Sequence, residues 1–140
     1  MRYLLDTNIV SEVSKKRPSG KVLNFIQANE TQCVVPAIVV AERYHGAHIA
    51  PPDQRAALLK AVHDFRDEFA DRILPFDAEA AETWGDYVSR SALRNRPHSY
   101  PDTLIAAIAL THNLTVVTRN TEDFPGVDTL NPFLTSRKRQ

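Results

Sequence analysis

The chain is 140 residues long, 43% hydrophobic and 24% charged, proportions that suit one globular domain with its own core and exclude a disordered chain. Seventeen basic residues balance seventeen acidic ones, which excludes the strong overall positive field of a nucleic-acid coat and leaves nucleic acid to a local patch. A single cysteine, Cys33, rules out an internal disulfide, and the five histidines have no cysteine partners for a zinc knuckle.

No apolar run approaches the roughly 20 residues that span a bilayer. The N-terminus turns acidic at Asp6, too early for a signal peptide, so the expected location is the cytoplasm, with no membrane contact. Tyr3-Leu4-Leu5 reads as a short strand, Asp6-Thr7-Asn8 offers helix-capping side chains, and Ile9, Val10 and Val13 recur at helical spacing. Lys15-Lys16-Arg17-Pro18-Ser19-Gly20 ends that helix, and Ser19 can cap a second one carrying Val22, Leu23, Phe25 and Ile26. Gln32 to Val35 reads as a second strand, and Ala37 to Ile49 as a helix with Pro36 at its start and Glu42 inside it. Pro51-Pro52 opens a longer amphipathic helix with Leu58, Leu59, Val62, Phe65 and Phe69 on one face. Ile73 to Phe76 suits an edge strand, where proline is tolerated, and Asp77 caps a helix carrying Ala80, Ala81, Trp84 and Val88. Arg94 to Pro101 reads as a polar loop, after which Asp102 begins an alanine- and isoleucine-rich helix through Leu110. Thr115 to Thr118 is the clearest β-branched run, and a last short strand is expected near Asp128 to Leu130. Strands alternating with helices predict an α/β fold, a single domain with a central parallel sheet flanked by helices. That domain is expected over residues 1–134, with 135–140 a frayed basic tail.

Parallel sheets place ligand sites beyond the carboxyl ends of their strands, which is where Asp6 falls. Asp102 opens a helix, Asn120 and Asp123 follow the strand ending at Thr118, and Glu42 sits on a helix among apolar residues. If these segments converge, the carboxylates repel one another, and a hard cation such as magnesium relieves that repulsion. Each residue alone also has a plain structural explanation. Asp6 and Asp102 can cap helices, Asn120 can form a turn, Asp123 can be a solvated loop carboxylate, and Glu42 can pair with Arg43.

Four ordered motifs resemble those of PIN-domain ribonucleases. They are Leu4-Leu5-Asp6-Thr7-Asn8-Ile9, then Ala41-Glu42 followed by Gly46-Ala47, then Asp102-Thr103-Leu104-Ile105-Ala106-Ala107, and finally Leu114 to Asn120 with Asp123-Phe124. More closely, the chain is similar to VapC-type toxins of bacterial toxin–antitoxin pairs, including the FitB-like members. The resemblance covers nearly the whole chain. It implies a PIN-like fold, a magnesium or manganese site on an acidic cluster, RNA as substrate, a homodimer, and inhibition by a cognate antitoxin protein. Asp6, Glu42 and Asp102 would hold metal, while Asn120 and Asp123 would orient ligands or water; Asn120 stands where relatives often carry aspartate. Pro36 and Val39 replace the serine or threonine common in relatives, removing hydroxyls near the site.

Other chemistries fit less well. A haloacid-dehalogenase-type site needs a second aspartate two residues after the first, where this chain has Asn8, and there is no P-loop or Gly-x-Ser-x-Gly elbow. Cys33 has no activating neighbours, and His45-x-x-His48 offers only two imidazoles one turn apart. Lys15, Lys16, Arg17 and Lys21 form one basic run and Arg90, Arg94 and Arg96 another; either could steer phosphate toward an acidic site. Arg119, inside the last motif, is the better candidate for contacting substrate, and pairing with a neighbouring acid is its structural alternative. The resemblance implies a magnesium-dependent endoribonuclease, the toxin of a toxin–antitoxin pair, in which water cleaves the phosphodiester, leaving a 5′-phosphate and a 3′-hydroxyl. The alternative is a degenerate PIN-like module that binds RNA or protein without cutting.

Overall fold

The computed structural model describes residues 1–90 and 99–134. Five short strands form one parallel sheet: β1 (Tyr3–Leu5), β2 (Cys33–Pro36), β3 (Ile73–Leu74), β4 (Thr115–Val117) and β5 (Thr129–Leu130). Six helices flank it among the described residues: α1 (Thr7–Val13), α2 (Gly20–Ala28), α3 (Ala37–His48), α4 (Pro52–Glu68), α5 (Ala78–Val88) and α6 (Tyr100–His112). The expected α/β fold is the one observed.

The strand order is β3-β2-β1-β4-β5. The chain starts at the centre of the sheet, steps outward through β2 and β3, then crosses over to build β4 and β5 on the other side. The direction of winding thus reverses between β1 and β4, where Leu4 pairs with Val116 and Leu5 with Val117. The segments leaving β1 and β4, helix α1 and the turn that leads to β5, part at such a point and open a crevice at the carboxyl edge. The Asp6 N–H extends the ladder one step further by donating to the Val117 carbonyl at 3.0 Å.

The core explains why these short strands hold. Leu4, Val34, Val35, Val116 and Val117 are fully buried, as a parallel sheet covered on both faces requires. The α6 helix is apolar around most of its circumference, with Ile105, Ala106, Ala107, Ile108 and Ala109 all shut off from water, so it packs as an interior helix against α5 and β4. Trp84 of α5 donates its indole N–H to the Thr103 hydroxyl at 3.0 Å, and the Tyr87 hydroxyl donates to the Pro125 carbonyl at 2.7 Å. Between α1 and α2, the covered Glu12 carboxylate accepts from the Ser19 N–H and the Lys15 ammonium, both at 2.8 Å. These contacts hold the Glu12 carboxyl below its usual range.

Several expectations shift in detail. The α6 helix begins at Tyr100 with Ser99 as its cap, so Tyr100 and Pro101 leave the predicted loop and Asp102 becomes a first-turn residue. Its backbone N–H donates to the Ser99 hydroxyl at 3.2 Å, so the capping role expected of Asp102 falls to Ser99, three residues upstream. Pro36 belongs to both β2 and the α3 cap. On α4, Val62 is buried and Phe65 and Phe69 pack partly on the core, but Leu58 remains 41% exposed. Lys15 is ion-paired with Glu12 and Arg90 with Asp86, which reduces what either basic run offers to phosphate. Arg94, Arg96 and the basic tail 135–140 lie outside the described residues.

The α6 helix ends on Asn113 in the left-handed region, φ 57°, with the Leu114 N–H reaching back to the Ala109 carbonyl at 2.8 Å. Asparagine and glycine tolerate this conformation and most residues do not. Asn113→Ala is expected to lower stability by about 1 kcal/mol, with Asn113→Gly close to neutral, measured by urea denaturation of both variants.

Candidate active site

Asp6 is the N-cap of α1, placed at the carboxyl end of β1 in the crevice beside β4. Only 6% of it is exposed. Its Oδ1 accepts from the Thr7 N–H at 2.8 Å, and its Oδ2 accepts from the Thr118 hydroxyl at 2.8 Å and the Asn8 amide at 3.3 Å. The Thr118 hydroxyl is itself fully occupied, accepting from Asn8 Nδ2 at 3.2 Å and from the Asn120 N–H at 3.1 Å. With both lone pairs engaged, its one proton is directed at Asp6. Asn8 completes the link across the crevice by accepting the Arg119 N–H on Oδ1 at 3.0 Å.

Burial pushes the Asp6 carboxyl above the usual aspartate value; the Thr118 hydroxyl and Thr7 N–H pull it down, while the charges of Asp102 and Glu42 push it up again. Asp102 and Glu42 thus act on Asp6 from α6 and α3. Glu42 is half-buried and accepts a hydrogen bond from the Thr7 hydroxyl on Oε1. It forms no ion pair with Arg43, whose guanidinium turns instead to Ser14 and to the Phe65 ring.

The remaining predicted residues lie at the rim. Asn120 and Asp123 are exposed and bracket a turn of 3-10 helix, with the Asp123 N–H on the Asn120 carbonyl at 3.0 Å. Asn120 reaches the Asp6 network through its backbone N–H. The exposed Arg119 lays its guanidinium over the Phe133 ring at 4.2 Å. His45 and His48 are exposed, and buried Cys33 has its thiol pushed up to about 11 by desolvation, which keeps it protonated and unreactive.

The match to the PIN domain family model runs over residues 3–130. The chain belongs to the PIN-domain family. Among relatives, this PIN domain is 32% identical to VapC ribonuclease Y4jK of Sinorhizobium fredii, over 93% of this chain and 96% of that one. It is also 32% identical to Toxin FitB of Neisseria gonorrhoeae, over 89% of this chain and 92% of FitB. A crystal structure of FitAcB from Neisseria gonorrhoeae superimposes with a TM-score of 0.86 at 30% identity, covering 95% of this chain and 99% of that one.

PIN-domain ribonucleases are generally dependent on a divalent metal. In this PIN domain, no three His, Cys, Asp or Glu side chains among the described residues are gathered into one metal-holding group. The donor chemistry nevertheless suits a hard cation. Asp6 and the charges that raise its pKa are carboxylates, and a positive ion among them would offset both the desolvation and the repulsion. Magnesium keeps several of its waters and takes only one or two carboxylates directly, so it does not need all three side chains in contact with it.

Two members of the network, Asn8 and Thr118, were legible in the motifs only as a capping residue and a strand end. What reveals their role is the pairing of β1 with β4, which sets residues 110 positions apart within hydrogen-bond reach. Thr118→Val removes the directed hydrogen bond to Asp6. A bond to a charged group is worth about 1.5–3 kcal/mol, so the variant is expected to lose roughly tenfold or more in kcat, measured on RNA at saturating magnesium.

Proposed function

We infer that this PIN domain is a divalent-metal-dependent endoribonuclease and the toxin of a toxin–antitoxin pair. The observation that carries the reading is the buried Asp6 at the β1/β4 crossover, with the charges of Asp102 and Glu42 acting on it. Relatives named VapC ribonuclease and Toxin FitB support the activity and the biological role.

Asp6, Glu42 and Asp102 would hold magnesium or manganese, whose chemistry is to activate water and to stabilise charge on the phosphate. The chain's own residues prepare that site. Thr118, Asn8 and the Thr7 N–H orient the Asp6 carboxylate by donating to it, and the Thr118 and Thr7 bonds offset part of the burial that raises its pKa. The Thr7 hydroxyl fixes Glu42, joining α1 to α3 across the crevice. Asn120 and Asp123, at the open rim, are placed to orient water or an outer ligand. Arg119 is the candidate phosphate contact, its guanidinium held on Phe133 close to the mouth of the crevice. Cys33, buried with its thiol protonated, is no nucleophile, and the metal-nuclease reading assigns the attack to water.

The partners follow from the same reading: RNA as substrate, a cognate antitoxin protein, and a second copy of the chain as a homodimer. No helix among the described residues is long and apolar enough to cross a membrane, and cytoplasmic action agrees with a chain whose single cysteine can form no internal disulfide. The test is cleavage of a mixed RNA pool by the purified protein with magnesium, beside an Asp6→Asn control. Cleavage by the wild type alone supports the enzyme. RNA or antitoxin binding without cleavage by either protein would move the assignment to the binding-only module. Light scattering that finds only monomer at high concentration would remove the homodimer.

A further inference from the structure

Tyr100, in the first turn of α6, is 66% exposed. Its ring is nonetheless held in place. The Trp84 indole of α5 lies against it, with ring centres 5.8 Å apart and planes tilted by 47°, a geometry at which aromatic pairs attract. Trp84 is fixed in turn by its N–H bond to the Thr103 hydroxyl at 3.0 Å, and that hydroxyl donates to the Tyr100 carbonyl at 2.8 Å. The three residues close a small circuit between α5 and α6, in which Trp84 backs the phenol ring and solvent meets the rest of it.

The ring stands beside the acidic crevice. Tyr100 and Asp102 share the first turn of α6 and are separated by only about 3 Å along its axis. Residues two apart on a helix point in different directions. Asp102 accordingly acts on Asp6, while Tyr100 turns to Trp84 and flanks the carboxylates without joining them. A nucleic-acid strand with one phosphate at the acids carries its neighbouring nucleotides past this turn.

An exposed, pre-positioned aromatic ring suits either a protein surface or a nucleobase. The surroundings favour the base. The other large apolar side chains exposed among the described residues are Met1, Val13, Ile49, Leu58 and Leu134, none of them on α5 or α6. A lone ring lacks the contiguous apolar surface that a protein interface buries, whereas a base needs only one flat face. We propose that Tyr100 is a stacking platform for an unpaired base of the RNA substrate, flanking the phosphate that is cut, and that Trp84 holds the platform in position. This rests on the ribonuclease reading for the presence of RNA in the crevice. It makes the preferred substrate single-stranded, because a base stacked within a duplex has no free face to offer a ring.

The probe is single-stranded RNA. A mixed pool of strands about ten nucleotides long is selected on the purified full chain in calcium, where cleavage is expected to be slow, and the tightest binder is remade with each base in turn removed to leave an abasic sugar. Fluorescence anisotropy then measures every strand against wild type, Tyr100→Phe, Tyr100→Leu and Tyr100→Ala. At one position, loss of the base is expected to weaken binding to wild type and Tyr100→Phe about tenfold, the loss of one aromatic stack, and to leave Tyr100→Leu and Tyr100→Ala nearly unaffected. Annealing a complementary strand should erase the difference between wild type and Tyr100→Ala. An abasic series that runs parallel in wild type and Tyr100→Ala, a Tyr100→Leu protein that binds as wild type does, or no retention of RNA at all would overturn the proposal. So would a lower mass for Tyr100→Ala by light scattering with RNA affinity unchanged, which would give the ring to contact between copies of the chain. Where Tyr100→Ala folds poorly, Tyr100→Leu carries the same comparison. If wild type fails to cut RNA in magnesium while the base-specific difference persists, the ribonuclease reading falls and the platform stands; cleavage without that difference does the reverse.

Discussion

Asp6→Asn is expected to lower RNA cleavage by at least about a hundredfold, the equivalent of roughly 3 kcal/mol of transition-state stabilisation, while the protein stays folded. The loss follows from charge. Asparagine is close to aspartate in size, but its amide offers a cation one neutral oxygen in place of a carboxylate. Folding survives for three reasons. Asparagine caps a helix as well as aspartate does, so the start of α1 is kept. The exchange also removes a buried carboxylate whose ionised form is opposed by desolvation and by Asp102 and Glu42. Against this, one amide N–H must face a donor, either Thr7 N–H or the Thr118 hydroxyl, at a cost of about 1 kcal/mol. The two effects oppose, and the thermal midpoint should move by only a few degrees. Asp102→Asn is expected to behave alike. Wild-type turnover in either purified variant, with contaminating nuclease excluded, would refute the assigned roles.

What the sequence discloses about this site, and what it hides, divides along the range of the interactions. Asp6 was legible because it directly follows an apolar run and starts a helix, both local features. The helices were legible from their caps: Ser19 accepts from the Val22 N–H and Asp77 from the Ala80 N–H, as their positions predict. Ser99 was missed, because the helix that it caps carries Tyr100 and Pro101 in its first turn, and proline there reads equally as loop. The Thr118 relay was hidden for a different reason. It depends on β4 lying beside β1, a non-local pairing that no periodicity encodes, and on the hydroxyl of an otherwise ordinary strand-end threonine being shut away from water. The Arg43 environment is likewise tertiary: adjacency to Glu42 in sequence suggests a salt bridge, whereas the α3 helix sends the two side chains to different neighbours.

Chelation should stop cleavage and leave the fold intact. The core of this protein is apolar and closed by its own hydrogen bonds, with Leu4, Val34, Ile105, Val116 and Phe124 buried, so no ion is needed to hold it together. The acidic crevice is different, since Asp6 is buried beside two like charges and gains from a cation without depending on one to fold. Excess EDTA is therefore expected to reduce RNA cleavage to background, with far-UV circular dichroism unchanged and the thermal midpoint lowered only by the lost binding energy of the ion. Magnesium or manganese should restore activity, because carboxylate and amide oxygens are hard donors and both ions accept octahedral oxygen coordination. Calcium should restore it poorly. Its longer bonds, about 2.3–2.6 Å against about 2.0–2.1 Å for magnesium, and its looser geometry would shift water and phosphate relative to each other, and misplacement on the order of 1 Å is enough to cost about a hundredfold. Cleavage undiminished in excess EDTA, with Asp6→Asn equally active, would leave the metal-nuclease reading without support and transfer the assignment to a binding-only PIN domain.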